Sequence, residues 1–101
     1  MDKLLKLFKP TYAIYCLQGS SWGSDTLGTK KEIVEFYKWY AEQQDIEEHY
    51  FNQLFAKPYT KKTLEYIADW FELVIFKSNK AVEDMSNEEI DNVERNIIYG
   101  R

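Results

Sequence analysis

Apolar residues recur at helical spacing along most of the chain. From residue 30 onward, Ile33, Val34, Tyr37, Tyr40 and Ala41 fall on one stripe at about 100° per residue, with Phe36 at its edge. Trp39 falls outside that stripe, among Glu32, Glu35, Glu42 and Gln43. Four helix starts organise the pattern. Thr29 and Glu32 form a T-x-x-E capping box, in which the hydroxyl takes an orphan amide and the carboxylate reaches back. The spacing therefore predicts a helix from Lys30. Asp45 and Glu48 offer a second box, which either starts a new helix or sits inside a longer one. Ile46, Tyr50 and Leu54 carry its apolar side until Pro58. Thr60 caps a third helix, whose apolar face runs through Leu64, Ile67, Ala68, Phe71, Val74 and Ile75. Ser86 and Glu89 form the clearest box, with Met85 and Ile90 as its hydrophobic staple; Ile90, Val93 and Ile97 are the expected buried stripe.

Two segments carry other patterns. Residues 1–9 mix leucines with lysines as a short amphipathic segment that Pro10 should end, read as a helix packed on the core. Residues 12–17, YAIYCL, are aromatic and β-branched and read as a strand. Residues 71–77, FELVIFK, can pair with that strand. No turn residue separates them from the helical pattern before them, so they are read as the end of the third helix. The expected fold is mainly α: one compact domain over residues 1–101, with four to five helices and one short N-terminal extended segment. The alternative is α+β with a small antiparallel sheet.

Composition narrows the function classes. The chain has 101 residues, a single-domain length. Its net charge of -4 argues against direct nucleic-acid binding, and only Arg95 and Arg101 offer a guanidinium for phosphate or guanine. One cysteine, Cys16, excludes an internal disulfide and is read as a small buried hydrophobe in a reducing compartment. No run approaches the roughly twenty apolar residues of a membrane span, and Lys6, Lys9 and Pro10 interrupt any signal-peptide core. A cytoplasmic protein without a membrane partner is expected.

The segment QGSSWGSDTLGTKKE, residues 18–32, holds three of the four glycines. Within it GSDTLGTK approaches the phosphate loop GxxxxGK[ST], but Thr29 and Lys30 stand in the reverse order. A phosphate loop needs the lysine directly after the glycine and the hydroxyl after that. What survives is a possible anion cradle of Gly23, Gly28, Thr29, Lys30 and Lys31 ahead of a helix N-terminus. It stands as the alternative function, a small anion- or nucleotide-binding domain.

Other chemistry is sparse. His49 is the sole histidine and pairs in this reading with Asp45, four residues earlier. Zinc needs a second histidine or a cysteine beside it, so no metal or cofactor is expected. A Cys16 and His49 dyad requires the fold to join them. Residues 83–94 hold six acids and no base before Arg95, and Glu42, Asp45, Glu47 and Glu48 form a second acidic cluster. Solvated faces and helix starts account for such clusters, and a surface for a basic partner is the sharper reading.

Aromatic residues make up 17% of the chain, more than a core of this size readily absorbs. Trp22 sits in a glycine-serine loop and Trp39 off its helix's stripe, which are positions suited to interface anchors. The expected function is therefore non-enzymatic: a small acidic protein-binding module using Trp22, Ser21, Asp25, Trp39, Glu35 and Glu42. Its partner would be another protein, including a basic or nucleic-acid-binding one. In size and composition it is like phage or mobile-element products that inhibit host proteins, anti-CRISPR-like inhibitors among them. A homodimer pairing residues 12–17 across a two-fold axis is a further expectation.

Overall fold

The computed structural model of the chain describes residues 10–19 and 21–98. The amphipathic segment expected at residues 1–9 lies outside them. The described residues form one α+β unit in which a three-stranded antiparallel sheet, ordered β2-β1-β3, lies between helices on its two faces. β1 is Tyr12–Cys16, β2 is Leu27–Gly28 and β3 is Leu73–Lys77. The helices are α1 (Lys30–Gln43), α2 (Glu48–Leu54), α3 (Lys61–Trp70) and α4 (Asn87–Val93). A 3-10 turn at Val82–Asp84 precedes α4, and a π-helical turn at Glu94–Ile98 follows it.

Three of the four expected starts appear at the expected residues. Thr29 and Ser86 each complete a capping box with the glutamate three residues on, and the Thr60 hydroxyl accepts from the Thr63 amide. The Asp45 box does not form. Asp45 takes a left-handed φ of 53°, and Glu47 becomes the N-cap of α2, so the mid-chain pattern splits into two helices. His49 accordingly approaches Glu47, at 3.4 Å, rather than Asp45.

The larger correction concerns residues 71–77. They are not helical: α3 stops at Trp70, and Leu73–Lys77 pairs along the whole of β1, from Tyr12 opposite Lys77 to Cys16 opposite Leu73. Helices still predominate and number four among the described residues, as expected, but the small antiparallel sheet makes the fold the α+β alternative. The break needs no glycine because Glu72 itself adopts φ 57°. That conformation is costly for a side-chain-bearing residue, and two bonds offset it. The Leu17 amide donates to the Glu72 carbonyl at 3.0 Å, and the Gln18 amide nitrogen donates to the Glu72 carboxylate at 2.7 Å. Leu-Val-Ile-Phe then suits a strand buried on both faces, which sequence periodicity alone cannot tell from a buried helix.

β1 is buried on both faces, and its alternation sorts the core. Tyr12, Ile14 and Cys16 pack with α1, α2 and α3 through Ile33, Tyr37, Leu54, Leu64 and Ile67. Ala13 and Tyr15 face the other way, with Phe76, Val93, Met85 and Ile97. Cys16 is therefore the buried hydrophobe expected of it, while His49 is exposed. β1 is also the central strand. β3 takes one of its edges, and β2 covers Tyr12 and Ala13 on the other, the edge a β1-to-β1 dimer would use.

Several of the clustered acids work within the fold. Glu89 closes its box and meets Lys80 at 3.1 Å, Glu94 accepts from the Tyr15 hydroxyl at 3.2 Å, and Asp91 pairs with Arg95. Hydrogen bonds from Lys80 and Ser86 hold the Glu89 carboxyl below its usual range, and those from the Thr29 backbone and hydroxyl do the same for Glu32. Groups lowered in the fold contribute stability above the ordinary carboxylate range, and it is lost as pH falls through their folded values. Thermal melts taken from neutral pH into acid should therefore show falling stability, and the Glu32→Gln/Glu89→Gln double variant should flatten that acid limb. At the other extreme, burial, then the charges of Asp69 and Glu65, hold the Tyr37 phenol far above the ordinary tyrosine range. The unfolded chain loses that proton first, so stability should also fall as pH rises past about 10.

Candidate functional site

The loop from β1 to α1 is drawn down onto the core by one glycine. Gly23 has a left-handed φ of 79°, and a β-carbon there would lie 2.9 Å from Ile14 Cγ2 and 3.0 Å from Phe36 Cζ. Only a residue without a side chain lets the backbone lie this close to β1 and α1. Turn bonds fix the rest of the loop. The Ser24 amide donates to the Ser21 carbonyl at 3.1 Å and the Thr26 amide to the Gly23 carbonyl at 2.9 Å. The Glu83 amide donates to the Ser24 carbonyl at 2.9 Å and so ties the loop to the 3-10 turn. Residues 27 and 28 then form β2, an element the spacing did not predict.

This path sets Trp22 against α1. Its ring lies 5.6 Å from that of Trp39 and meets the edge of Tyr40 at 5.5 Å and 84°. Phe36 completes the group, 6.1 Å from Trp39 and 5.9 Å from Tyr40, because positions i, i+3 and i+4 share one helix side. Trp22 remains 41% exposed and Trp39 46%. Each ring thus packs on its neighbours and still presents nearly half its surface, which is the compromise expected of an amphipathic anchor.

Between the loop and α1 lies an open cleft of about 380 Å³, lined by Ser21, Trp22, Asp25, Phe36 and Trp39 among others. Four of the six predicted partner-binding residues are therefore joined here: Trp22, Ser21 and Asp25 from the loop and Trp39 from the helix. Glu35 and Glu42 are exposed on α1, four residues before Trp39 and three after it, and so flank that ring along the helix. Sequence reading missed Phe36 as part of the wall and Gly23 as a packing residue. The Phe36, Trp39 and Tyr40 spacing was the available signal.

Tyr40, itself buried, links this group to the next. Its ring also meets Phe71 at 5.0 Å, and the two line a second shallow cleft with Trp70, Ile46 and Gln18. Trp70 is 44% exposed and lies 5.4 Å from Tyr50, so each of the three tryptophans is a surface residue in contact with another ring.

The anion cradle is arranged differently from its expectation. The Ser24 and Thr26 amides are engaged within the loop, and the Thr29 amide is taken by the Glu32 carboxylate at 3.1 Å. Gly28 faces that same glutamate, where a β-carbon would come within 2.7 Å of Glu32 Cβ. A carboxylate of the chain itself thus occupies the start of α1. Lys30 lines a separate cleft with Lys61 and Lys77, and Lys31 is an exposed residue that lines neither cleft. Among the described residues no group of three or more His, Cys, Asp or Glu side chains is placed to hold a metal ion. No helix among them is long and apolar enough to cross a membrane.

Comparison with known proteins finds no matching family model, no similar curated protein and no similar solved structure.

Two measurements check the geometry. Gly23→Ala should cost about 3 kcal/mol in urea unfolding, since it adds overpacking to a left-handed backbone. Gly19→Ala, at φ 74° with nothing within 4 Å, should cost about 1 kcal/mol. The indole pair should also give an exciton couplet in far-ultraviolet circular dichroism, lost equally in Trp22→Phe and Trp39→Phe while the fold persists.

Proposed function

We propose that the chain is a non-enzymatic protein-binding module whose contact surface is the Trp22 and Trp39 cleft. The carrying observation is the convergence itself. Two half-exposed tryptophans from a loop and a helix stand 5.6 Å apart, with Phe36 as a wall, the buried Tyr40 ring against Trp22 and the acidic side chain of Asp25 beside them. Exposed aromatic anchors around a concave centre, rimmed by polar residues, are the usual make-up of binding hot spots.

The rim defines the partner's chemistry. Asp25, Glu35 and Glu42 give it negative charge, and indole faces attract cations. The partner is therefore a protein that presents a lysine or arginine beside an apolar side chain, including the basic surface of a nucleic-acid-binding protein. Tight binding would need a footprint beyond one cleft, and the exposed rings of Trp70 and Tyr50, beyond the buried Tyr40 and Phe71, provide further apolar area. A small cytoplasmic inhibitor or regulator of a host protein, of the kind phage and mobile elements produce, fits this reading in size and charge. The anion-loop alternative draws less support, because three of its amides have internal partners.

The test is capture of binding proteins from the source cell by the wild-type chain, identified by mass spectrometry and followed by affinity measurement. Trp22→Ala and Trp39→Ala should each weaken a captured partner at least tenfold, and Asp25→Lys should slow association most at low salt. Unchanged affinity in both tryptophan variants would rule this surface out.

A further inference from the structure

The lysine-lined cleft, of about 320 Å³, shares no lining residue with the tryptophan cleft. Three lysines stand around it: Lys30, the first residue of α1, Lys61, the first residue of α3, and Lys77, the last residue of β3. Strand pairing places Tyr12 opposite both Lys77 and Gly28, which brings the end of the sheet to the two helix starts. The apolar part of the lining is the half-buried Ile75 and Ile97, with the buried Leu64, Tyr12 and Phe76 behind them.

The charge here opposes that of the whole chain. The cleft gathers three lysines against one acid, Glu65, a local excess of two positive charges in a chain of net charge -4. Two cations elsewhere pair with acids, Lys80 with Glu89 and Arg95 with Asp91, while Lys31, Lys38, Lys57 and Lys62 stand apart from one another on the surface without an ion pair among the described residues. Lys30, Lys61 and Lys77 form no ion pair with any described residue. The start of α3 behind Lys61 adds partial positive charge of the same sign, whereas the Glu32 carboxylate offsets that of α1. Their caps are supplied by Glu32 and Thr60, so the ammonium groups are the donors left to a ligand.

We propose that this cleft binds a small phosphate monoester carrying an apolar body. A phosphate monoester holds about 1.5 to 2 negative charges at neutral pH, which matches the local excess. A dry cavity of about 150 Å³ takes one benzene ring, so an open cleft of about 320 Å³ has room for a small apolar body together with its phosphate, the body lying against Ile75 and Ile97. Neither part suffices alone. Scattered surface lysines hold phosphate weakly, and an apolar lining beneath three ammonium groups disfavours an uncharged guest.

Amide NMR on the full chain, with 1-naphthyl phosphate as the probe, tests this directly. Saturable shifts are expected at residues 30, 61 and 75–77, with a Kd of about 1 mM or tighter. Inorganic phosphate and uncharged 1-naphthol should each bind at least fivefold more weakly. Lys61→Gln/Lys77→Gln changes two exposed side chains and should weaken 1-naphthyl phosphate at least fivefold. Trp22→Ala should leave that affinity unchanged, which separates this site from the protein-binding surface. The proposal is overturned if the shifts map to the tryptophan cleft or are absent at several millimolar, or if the double variant keeps its affinity. Equal binding of inorganic phosphate or of 1-naphthol would overturn it as well.

Discussion

The structure depends on β1 being buried on both faces. A five-residue strand cannot satisfy its backbone alone, and β3 supplies the missing ladder from Tyr12 to Cys16. Once that pair exists, alternation sends Ile14 toward α1 and α3 and Ala13 toward α4, and two clusters close around the sheet. The loop after β1 must then return across the same sheet to start α1. It does so within hard-contact distance of Ile14, which only a glycine at position 23 permits.

Function in this account is a by-product of that return path. Trp22 directly precedes the glycine that descends to the core, so its ring comes down beside α1. Trp39 waits there, off the buried stripe. The same short β2 that anchors the loop places Lys30 next to the end of the sheet, and α3 begins nearby with Lys61. One backbone route thus separates an aromatic, acid-rimmed cleft from a basic one. In a domain this small, surfaces of opposite charge are kept apart by where helices start and end.

Much of this was legible in local chemistry. Thr29 with Glu32, Thr60, and Ser86 with Glu89 mark helix starts because capping is decided within four residues. Helical projection put Trp39 off the buried stripe, though not how much of its ring stays exposed. What failed depended on distant partners. Residues 71–77 keep an apolar pattern compatible with either state, and the choice is made by β1, more than fifty residues away. Even the break was hidden, since a glutamate rather than a glycine takes the left-handed turn, held by Leu17 and Gln18. Asp45 failed likewise as a cap by becoming a turn residue. At the site, the pairing of Trp22 with Trp39 was unreadable because no periodicity governs a loop, and the close approach at Gly23 is set by Ile14 and Phe36, which are distant in sequence.

The central claim is that Gly23 lays the loop on the core and so joins Trp22 to Trp39 in one cleft. Nuclear Overhauser contacts in the free protein measure this most directly. The account predicts strong contacts between the indole protons of Trp22 and the rings of Trp39 and Tyr40, together with contacts from the Gly23 α-protons to the Ile14 γ2-methyl. Trp22 indole resonances without contacts to α1, in an otherwise folded chain, would contradict it.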